Sequence, residues 1–154
     1  MTNFPRKMFR GIFSCADSAG FCPSRGEINR WKTNGRVGGR AVLVDCGEGT
    51  QIGIQRLSWG IQCIDAILLT HYHADHCSGL PGMLLAITKA GRTAPLHIYG
   101  PIGLERVVAG LRVIAPSLSC PIVLHEIIDD YSPFAAIGLT ITPFPLKHEM
   151  PCIG

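Results

Sequence analysis

The chain has no run of about 18 or more apolar residues, so we expect no membrane-spanning helix. Its first residues include Arg6, Lys7 and Arg10, but no apolar core follows them, which predicts no secretory signal peptide. Internal repeats and low-complexity segments are also missing. Only 16% of the residues are charged and 47% are apolar, which excludes a disordered chain and predicts one folded domain with a real core.

The net charge of +3 and the cysteine content set weaker limits on function. Such a small basic excess permits a polyanionic partner without requiring one. The seven cysteines are odd in number and irregularly spaced, which without a secretion signal indicates reduced thiols and a cytoplasmic protein. Cys15 and Cys22 fit no standard zinc spacing. Cys77 follows a histidine cluster, and we interpret it as a buried filler in preference to a metal ligand.

The cluster consists of three histidines and one aspartate that directly follow the apolar run 66–70, namely His71, His73, Asp75 and His76. The apolar run is typical of a strand buried on both faces. Four polar side chains buried at its end without partners would cost roughly 1–3 kcal/mol each, and a bound cation removes that cost. Imidazole and carboxylate ligands without a thiolate suit zinc, with iron or manganese as alternatives.

Residue spacing within the cluster indicates two ion positions. Alternate side chains of an extended backbone point the same way, so His71 and His73 can reach one ion together. Asp75 and His76 follow where the chain turns, and they can reach a second ion beside the first.

The rest of the pattern alternates between strands and helices, which argues for α/β layers. Strands are predicted at 41–45, 66–70, 96–99, 122–128 and 139–144, and helices at about 50–57, 81–90 and 104–114. Thr50 is interpreted as the cap of the first helix, and Val113 or Ile114 is placed on the apolar side of the third. Residues 129–133 are predicted to form a turn. Residues 1–36 show no clean period, so we divide the chain into an irregular segment 1–36 and a domain over 37–154.

Other polar residues in the predicted strands are open to two interpretations. Asp45 ends a strand, and it is either a turn-forming residue or, as we prefer, an outer-shell acceptor that fixes a ligand histidine. His97 and His125 lie inside strands and are interpreted as structural. His148 follows a strand as the first cluster does, although an isolated histidine is by default a core or surface residue.

Five motifs together resemble the metallo-β-lactamase superfamily and, within it, the ribonuclease Z family of tRNA 3′-processing endonucleases. The string His-Tyr-His-Ala-Asp-His at 71–76 is typical of the superfamily. The run Asp-Cys-Gly-Glu-Gly-Thr-Gln at 45–51 and the Gly-Leu-Pro-Gly at 79–82 narrow the resemblance, as do Tyr-Gly-Pro at 99–101 and Pro-Leu-Lys-His at 145–148. The match covers about residues 37–154.

The resemblance implies a four-layer αββα sandwich, of which this chain supplies about the N-terminal half. It implies two zinc ions, one held by His71, His73 and His148 and the other partly held by Asp75 and His76. In the family, an Asp and a His from the second half complete the site, and no residue of this chain matches them. The region before about residue 37 also departs from the usual opening of the family, which has a strand, a Gly-Thr-Gly loop and a Pro-rich substrate loop.

The implied activity is removal of the 3′ trailer from precursor tRNA, by a protein expected to be a cytoplasmic homodimer when complete. Two ions roughly 3.5–4 Å apart provide a nucleophile at neutral pH, and Asp75 is expected to orient it and accept its proton. RNA would be held mainly through phosphates, with Arg36, Arg40 and Lys147 as candidates, although solvated surface is the preferred interpretation for each of them.

Two alternatives stay open at this point. The first is another hydrolase of the same superfamily, either a phosphodiesterase or an arylsulfatase-like enzyme. The second is a zinc-binding fragment or partner module that cleaves nothing by itself, because ligands for the second ion are missing.

Overall fold

A computed structural model describes residues 36–37, 40–56, 58, 60–128 and 130–154. The irregular segment predicted for residues 1–36 lies outside this part of the chain except at Arg36, so it stays a prediction. The interpretation of Cys15 and Cys22 lies outside it as well.

Five strands form one sheet, and they are β1 (Arg36–Val37), β2 (Arg40–Val44), β3 (Ile64–Leu68), β4 (Leu96–Pro101) and β5 (Ile122–Ile127). They follow one another in chain order across the sheet. β1 is antiparallel to β2, and the other neighbours are parallel. Parallel neighbours need crossover connections, which helices supply here. The carboxyl ends of β2 to β5 therefore meet at one edge of the sheet.

Four α-helices and one 3₁₀-helix make these crossovers, namely α1 (Thr50–Arg56), the 3₁₀-helix (Ile61–Cys63), α2 (Ala74–Cys77), α3 (Leu80–Lys89) and α4 (Leu104–Arg112). Pro81 lies in the first turn of α3, as the sequence predicts. At α4, the carboxylate of Glu126 accepts hydrogen bonds from the backbone N–H groups of Gly103 and Leu104, the second over 3.2 Å. These acidic contacts satisfy donors that the start of a helix leaves free.

Side chains of the strands alternate between two cores. Leu43, Ile67 and Ile98 face the helices, where they join the larger core together with Leu80, Met83, Leu84, Ile87, Leu104 and Val108. The other face carries a smaller cluster around Ala66 and Tyr99. Full burial of one large apolar side chain stabilises a fold by roughly 1.5–3 kcal/mol, so the helical face holds most of the stability.

A β-hairpin covers the second face. It consists of β6 (Phe134–Ala136) and β7 (Leu139–Ile141), and Phe134, Ala136 and Ile141 pack on Ala66 and Tyr99. Its two-residue turn has positive φ at both central positions, 48° at Ile137 and 81° at Gly138, as a type I′ turn requires. The strand predicted for 139–144 is too long, because β7 ends at Ile141. β6 was not predicted, because Ile-Gly lacks the usual Asn-Gly signal for this turn.

A second small hairpin closes the described chain, with β8 (Pro145–Leu146) antiparallel to β9 (Cys152–Ile153). The backbones of Phe144 and Gly154 extend the pairing through two hydrogen bonds of 3.1 and 2.9 Å. The hairpin loop carries His148. The sequence predicts neither strand, because two residues are too few to show a period.

Several predicted boundaries need correction. β3 begins two residues before the predicted run, and Leu69 is buried beyond its end. Thr50 is the first residue of α1, and its hydroxyl donates to the carbonyl of Gly47 over 2.7 Å, so it is not a capping acceptor. Leu57, the predicted end of that helix, lies outside the described residues, as does Asp129 of the predicted turn 129–133. Val113 and Ile114 follow α4 and are 75% and 73% exposed, so their placement on its apolar side is wrong.

One buried ion pair has no counterpart among the predictions. Asp65 in β3 and Arg92 after α3 are 6% and 7% exposed, and Nη2 of Arg92 lies 2.8 Å from Oδ1 of Asp65. Arg92 also donates to the carbonyls of Gln62, Ala94 and Pro95 over 2.6–2.9 Å. Arg40 contacts Asp65 from β2. The group joins strands β2 and β3 to the loop that precedes β4.

Within the described residues, none of the helices combines the length and the apolar character needed to span a membrane.

Candidate metal centre

The loop 69–73 follows β3 and carries His71 and His73, and we call it the histidine loop. It lies at the carboxyl edge of the parallel sheet. The backbone of Leu69 donates to Tyr99 over 2.8 Å, and Asp45 donates to Leu68 over 2.7 Å, so three strand ends are held together there. Asp45 has a φ of 58°, a left-handed conformation that aspartate adopts more readily than most residues. Turns at the ends of β2 and β3 therefore bring Asp45 and the loop after Leu68 side by side.

Three imidazoles converge at this edge. Ring centroids of His71 and His148 are 4.5 Å apart, those of His73 and His148 are 4.8 Å apart, and those of His71 and His73 are 4.9 Å apart. One nitrogen of each ring lies within 4.8 Å of the other two. In particular, Nε2 of His71 and Nδ1 of His73 are separated by 3.2 Å. Two nitrogens bound tetrahedrally to one zinc ion lie about 3.3 Å apart, so the donor set and its spacing fit a metal ion.

His148 reaches the cluster because its hairpin is hydrogen-bonded to the histidine loop. The backbone N–H of Ile153 donates to the carbonyl of Thr70 over 3.0 Å. The N–H of Tyr72 contacts the sulfur of Met150 over 3.4 Å, and the Tyr72 hydroxyl donates to the carbonyl of Pro101. The contacts of Ile153 and Met150 hold the hairpin of the predicted third ligand, and no local sequence signal indicates them.

Asp75 and His76 lie beside the three histidines, on the short helix α2. Nε2 of His76 is 3.4 Å from Oδ2 of Asp75, and the His76 ring centroid is 4.1 Å from that of His71. Among the described residues, only His71, His73 and His148 form a group of at least three metal-competent side chains. Asp75 and His76 therefore lie outside that group, and a second metal position that uses them stays a prediction.

Asp45 contacts one of the predicted ligand histidines, His76, from outside the cluster. Its Oδ2 lies 2.7 Å from Nδ1 of His76, and its two carboxylate oxygens also contact the backbone and hydroxyl of Thr70. This is the geometry expected of an outer-shell acceptor, in which one ring nitrogen is held so that the other can face the metal.

Burial keeps His71 neutral near pH 7. The side chain is 1% exposed, and desolvation, followed by the neighbouring rings of His76 and His148, lowers its pKa to about 4. A neutral imidazole is the form that binds metal ions, so His71 needs no deprotonation at neutral pH.

Two buried thiols near the site behave as packing groups. Burial, followed by the charges of Asp45 and Asp75, raises the pKa of Cys77, and its sulfur lies 3.3 Å from the carbonyl of His73. Burial, with smaller contributions from Asp45 and Cys77, raises the pKa of Cys46 to about 12. Both thiols therefore stay protonated at neutral pH, which agrees with the interpretation of Cys77 as a filler.

The remaining predicted residues are not members of the three-histidine group. His97 and His125 pair across β4 and β5 with ring nitrogens 2.9 Å apart. Lys147 is exposed next to His148, Arg40 contacts Asp65, and the side chain of Arg36 is outside the described part of the chain.

A parallel sheet with helices on one face, and with histidines from two distant loops converging at its carboxyl edge, defines an α/β domain with a candidate metal site at that edge. The family model described as "Metallo-beta-lactamase superfamily" matches residues 36–148. The chain belongs to this superfamily, and the predicted α/β fold class is confirmed.

Relatives and solved structures agree with the narrower resemblance. The chain is 45% identical over 127 residues to ribonuclease Z of Lachnoclostridium phytofermentans, which covers 81% of the chain and 42% of that protein. It is 49% identical over 117 residues to ribonuclease Z of Clostridium kluyveri, which covers 75% of the chain and 39% of that protein. The crystal structure of the short form of human tRNase Z is similar with a TM-score of 0.64 and 29% identity, over 77% of this chain and 54% of that one.

A structure of a diphosphatase from the PhnP family is also similar, with a TM-score of 0.59 and 27% identity over 77% of this chain and 45% of that one. The predicted resemblance to ribonuclease Z is confirmed by the curated relatives. The chain spans about two fifths of the length of those it matches.

Proposed function

We propose that this chain provides part of the metal centre of a zinc-dependent endoribonuclease that removes the 3′ trailer from precursor tRNA. The observation that carries the proposal is the convergence of His71, His73 and His148, with Asp75 and His76 beside them. The similarity to proteins named ribonuclease Z supports the substrate class.

In this proposal, His71, His73 and His148 hold one zinc ion, and Asp75 and His76 contribute to a second. When bound, two such ions supply a water-derived nucleophile at neutral pH and stabilise negative charge on a phosphodiester. The side chain of Asp75 is 45% exposed, so it is accessible to a substrate at the edge of the sheet. We assign it the role of orienting the nucleophile and accepting its proton.

The products would be a tRNA with a free 3′-hydroxyl and a trailer with a 5′-phosphate. The test is to incubate the zinc-loaded chain with a precursor tRNA that carries a 3′ trailer, and to map both new ends. A second sample fuses the chain to the unmatched remainder of the Lachnoclostridium phytofermentans relative, which supplies the rest of the domain. Cleavage at the trailer boundary in either sample supports the proposal, and Asp75→Asn in the same sample should abolish it. An intact precursor in both samples contradicts it.

A small phosphodiester is the second candidate substrate, because a diphosphatase is among the similar structures. The same two samples are given a chromogenic small diester in parallel. Faster turnover of the diester, with no cleavage of precursor tRNA, would favour this alternative.

A third possibility is a zinc-binding module without activity of its own, since the described residues form only one group of three ligands. Elemental analysis separates this alternative from the enzyme. One zinc ion per chain without turnover supports it, and two zinc ions with turnover by this polypeptide eliminate it.

Homodimer formation and a cytoplasmic location stay predictions from the resemblance. Arg36, Arg40 and Lys147 stay candidates for contact with RNA phosphates, with solvated surface as the preferred interpretation for each, and Arg40 already contacts Asp65. Such contacts would make binding of precursor tRNA sensitive to salt.

A further inference from the structure

One carboxylate lies between a ligand of each proposed metal position. Oδ1 of Asp45 accepts the backbone N–H of Thr70 over 2.8 Å, and Oδ2 faces Nδ1 of His76 over 2.7 Å. The hydroxyl oxygen of Thr70 is 3.0 Å from both carboxylate oxygens. It is also 3.0 Å from Nδ1 of His71.

The direction of each hydrogen bond in this chain follows from the chemistry of the groups. A carboxylate only accepts, so the single O–H of Thr70 donates to Asp45. The Thr70 oxygen can then only accept from the His71 ring, which places a proton on Nδ1 of His71. By the same argument, His76 carries its proton on Nδ1, which faces Asp45. In both rings, Nε2 is left with its lone pair.

We propose that the Thr70 hydroxyl is a relay through which Asp45 sets the tautomer of His71, while Asp45 sets that of His76 directly. One carboxylate thereby prepares a ligand for each of the two metal positions before any ion binds. Thr70 is a positioning residue in this arrangement, since it contacts neither position itself.

The Nε2 atoms of both rings lie where ligand atoms are needed. Nε2 of His71 is the atom 3.2 Å from Nδ1 of His73, and Nε2 of His76 is the atom 3.4 Å from Oδ2 of Asp75. In the opposite tautomer, an N–H would point into the metal position and would have to be lost or rotated away before binding. Fixing the ring from outside avoids this rearrangement.

Replacement of Thr70 tests its hydroxyl separately from the backbone hydrogen bonds of the loop. Thr70→Val keeps the branched shape, the N–H bond to Asp45 and the carbonyl that accepts from Ile153, and it removes only the hydroxyl. Thr70→Ser keeps the hydroxyl. Thr140→Val makes the same chemical change at an exposed position of β7 and serves as the control.

The first readout is the tautomer of each histidine in the zinc-free chain at neutral pH, from two-bond nitrogen–proton correlation spectra. Wild type, Thr70→Ser and Thr140→Val should show His71 and His76 protonated on Nδ1. Thr70→Val should change His71 alone. Asp45→Asn should change His76, because the amide oxygen must stay opposite the Thr70 N–H and the amide nitrogen then faces His76.

The second readout is zinc affinity, measured by competition with a chromophoric chelator. Loss of an outer-shell partner typically weakens binding about 10–100-fold, and we expect this for Thr70→Val, with Thr70→Ser and Thr140→Val close to wild type. A wild-type His71 protonated on Nε2, or equal tautomers and affinities in the Val and Ser variants, overturns the relay. The wild-type tautomer decides the matter even if a variant fails to fold.

The inference rests on the proposed function only for the two metal positions. Neither readout uses RNA, so the two can fail separately. Correct tautomers with no cleavage of precursor tRNA contradict the endoribonuclease alone, and cleavage with unchanged tautomers in Thr70→Val contradicts the relay alone.

Discussion

The imidazole of His148 lies with its centroid 4.5 Å from that of His71, although the two residues belong to loops far apart in the chain. His71 follows a central strand of the parallel sheet, and His148 lies in the small hairpin at the end of the described chain. The hydrogen bond from Ile153 to Thr70 joins the two loops. Because of this convergence, three nitrogen donors can share one ion.

Replacement of His148 should remove the first zinc ion. His148→Ala deletes a direct ligand, so the zinc affinity should fall by more than about 100-fold, beyond the 10–100-fold typical of outer-shell partners. Competition with a chelator measures the affinity. His97→Asn removes an imidazole outside the three-histidine group and should leave the affinity unchanged. Wild-type affinity in His148→Ala would contradict the ligand assignment.

Stability of the zinc-free chain should depend on the protonation of His71. Its pKa is about 4 in the folded chain and about 6.5 when exposed, so the unfolded chain binds more protons between these values. The free energy of unfolding should therefore fall as the pH drops from 6.5 towards 4, by up to about 3 kcal/mol, and level off below 4. Urea unfolding at several pH values measures it. His71→Asn should flatten this part of the profile, and parallel curves for the two proteins would exclude the effect.

The sequence indicates the site well where the signal is local. An apolar strand followed by His71, His73, Asp75 and His76 carries both its period and its chemistry within a few residues. The elements that place these residues in the sheet were predicted for the same reason, with boundaries in error by a few residues.

The sequence does not indicate features that depend on distant contacts. The positive φ of Asp45 depends on its pairing with Leu68, and the turn at Ile137 depends on packing of its hairpin against Tyr99. Asp65 is a charged residue inside an apolar strand. Its partner, Arg92, can be identified only once the fold is known. For His148, only the family resemblance indicated a role, because an isolated histidine has no period and no local partner.

The loop after β2 contains Gly47 and lies close to α2. This contact should be sensitive to the addition of one methyl group. A Cβ atom at Gly47 would overlap the backbone carbonyl of Asp75, so Gly47→Ala must push apart the loop after β2 and the helix that carries Asp75 and His76. We expect a loss of about 1–3 kcal/mol in unfolding free energy, together with weaker zinc binding. Thermal denaturation and chelator competition measure the two effects.

Gly53→Ala is the matched control for that substitution. Nothing lies within 4 Å of a Cβ atom at Gly53, which is exposed in α1. Alanine is favoured over glycine within a helix, so this variant should gain about 0.5–1 kcal/mol. Equal stability of the two alanine variants would show that the contact at Gly47 has no importance for the fold.

Arg92 should not tolerate replacement by lysine, despite the equal charge. Its guanidinium pairs with Asp65 and donates to three backbone carbonyls, and a single ammonium group cannot reach all four acceptors. Breaking a buried pair typically costs about 3–5 kcal/mol, so Arg92→Lys should lose on the order of 3 kcal/mol in urea unfolding. Arg106→Lys changes an exposed residue of α4 and should stay within about 0.5 kcal/mol of wild type. A comparably small effect in both variants would mean that Asp65 is satisfied by Arg40 alone, since Arg40 is the other cation in contact with it among the described residues.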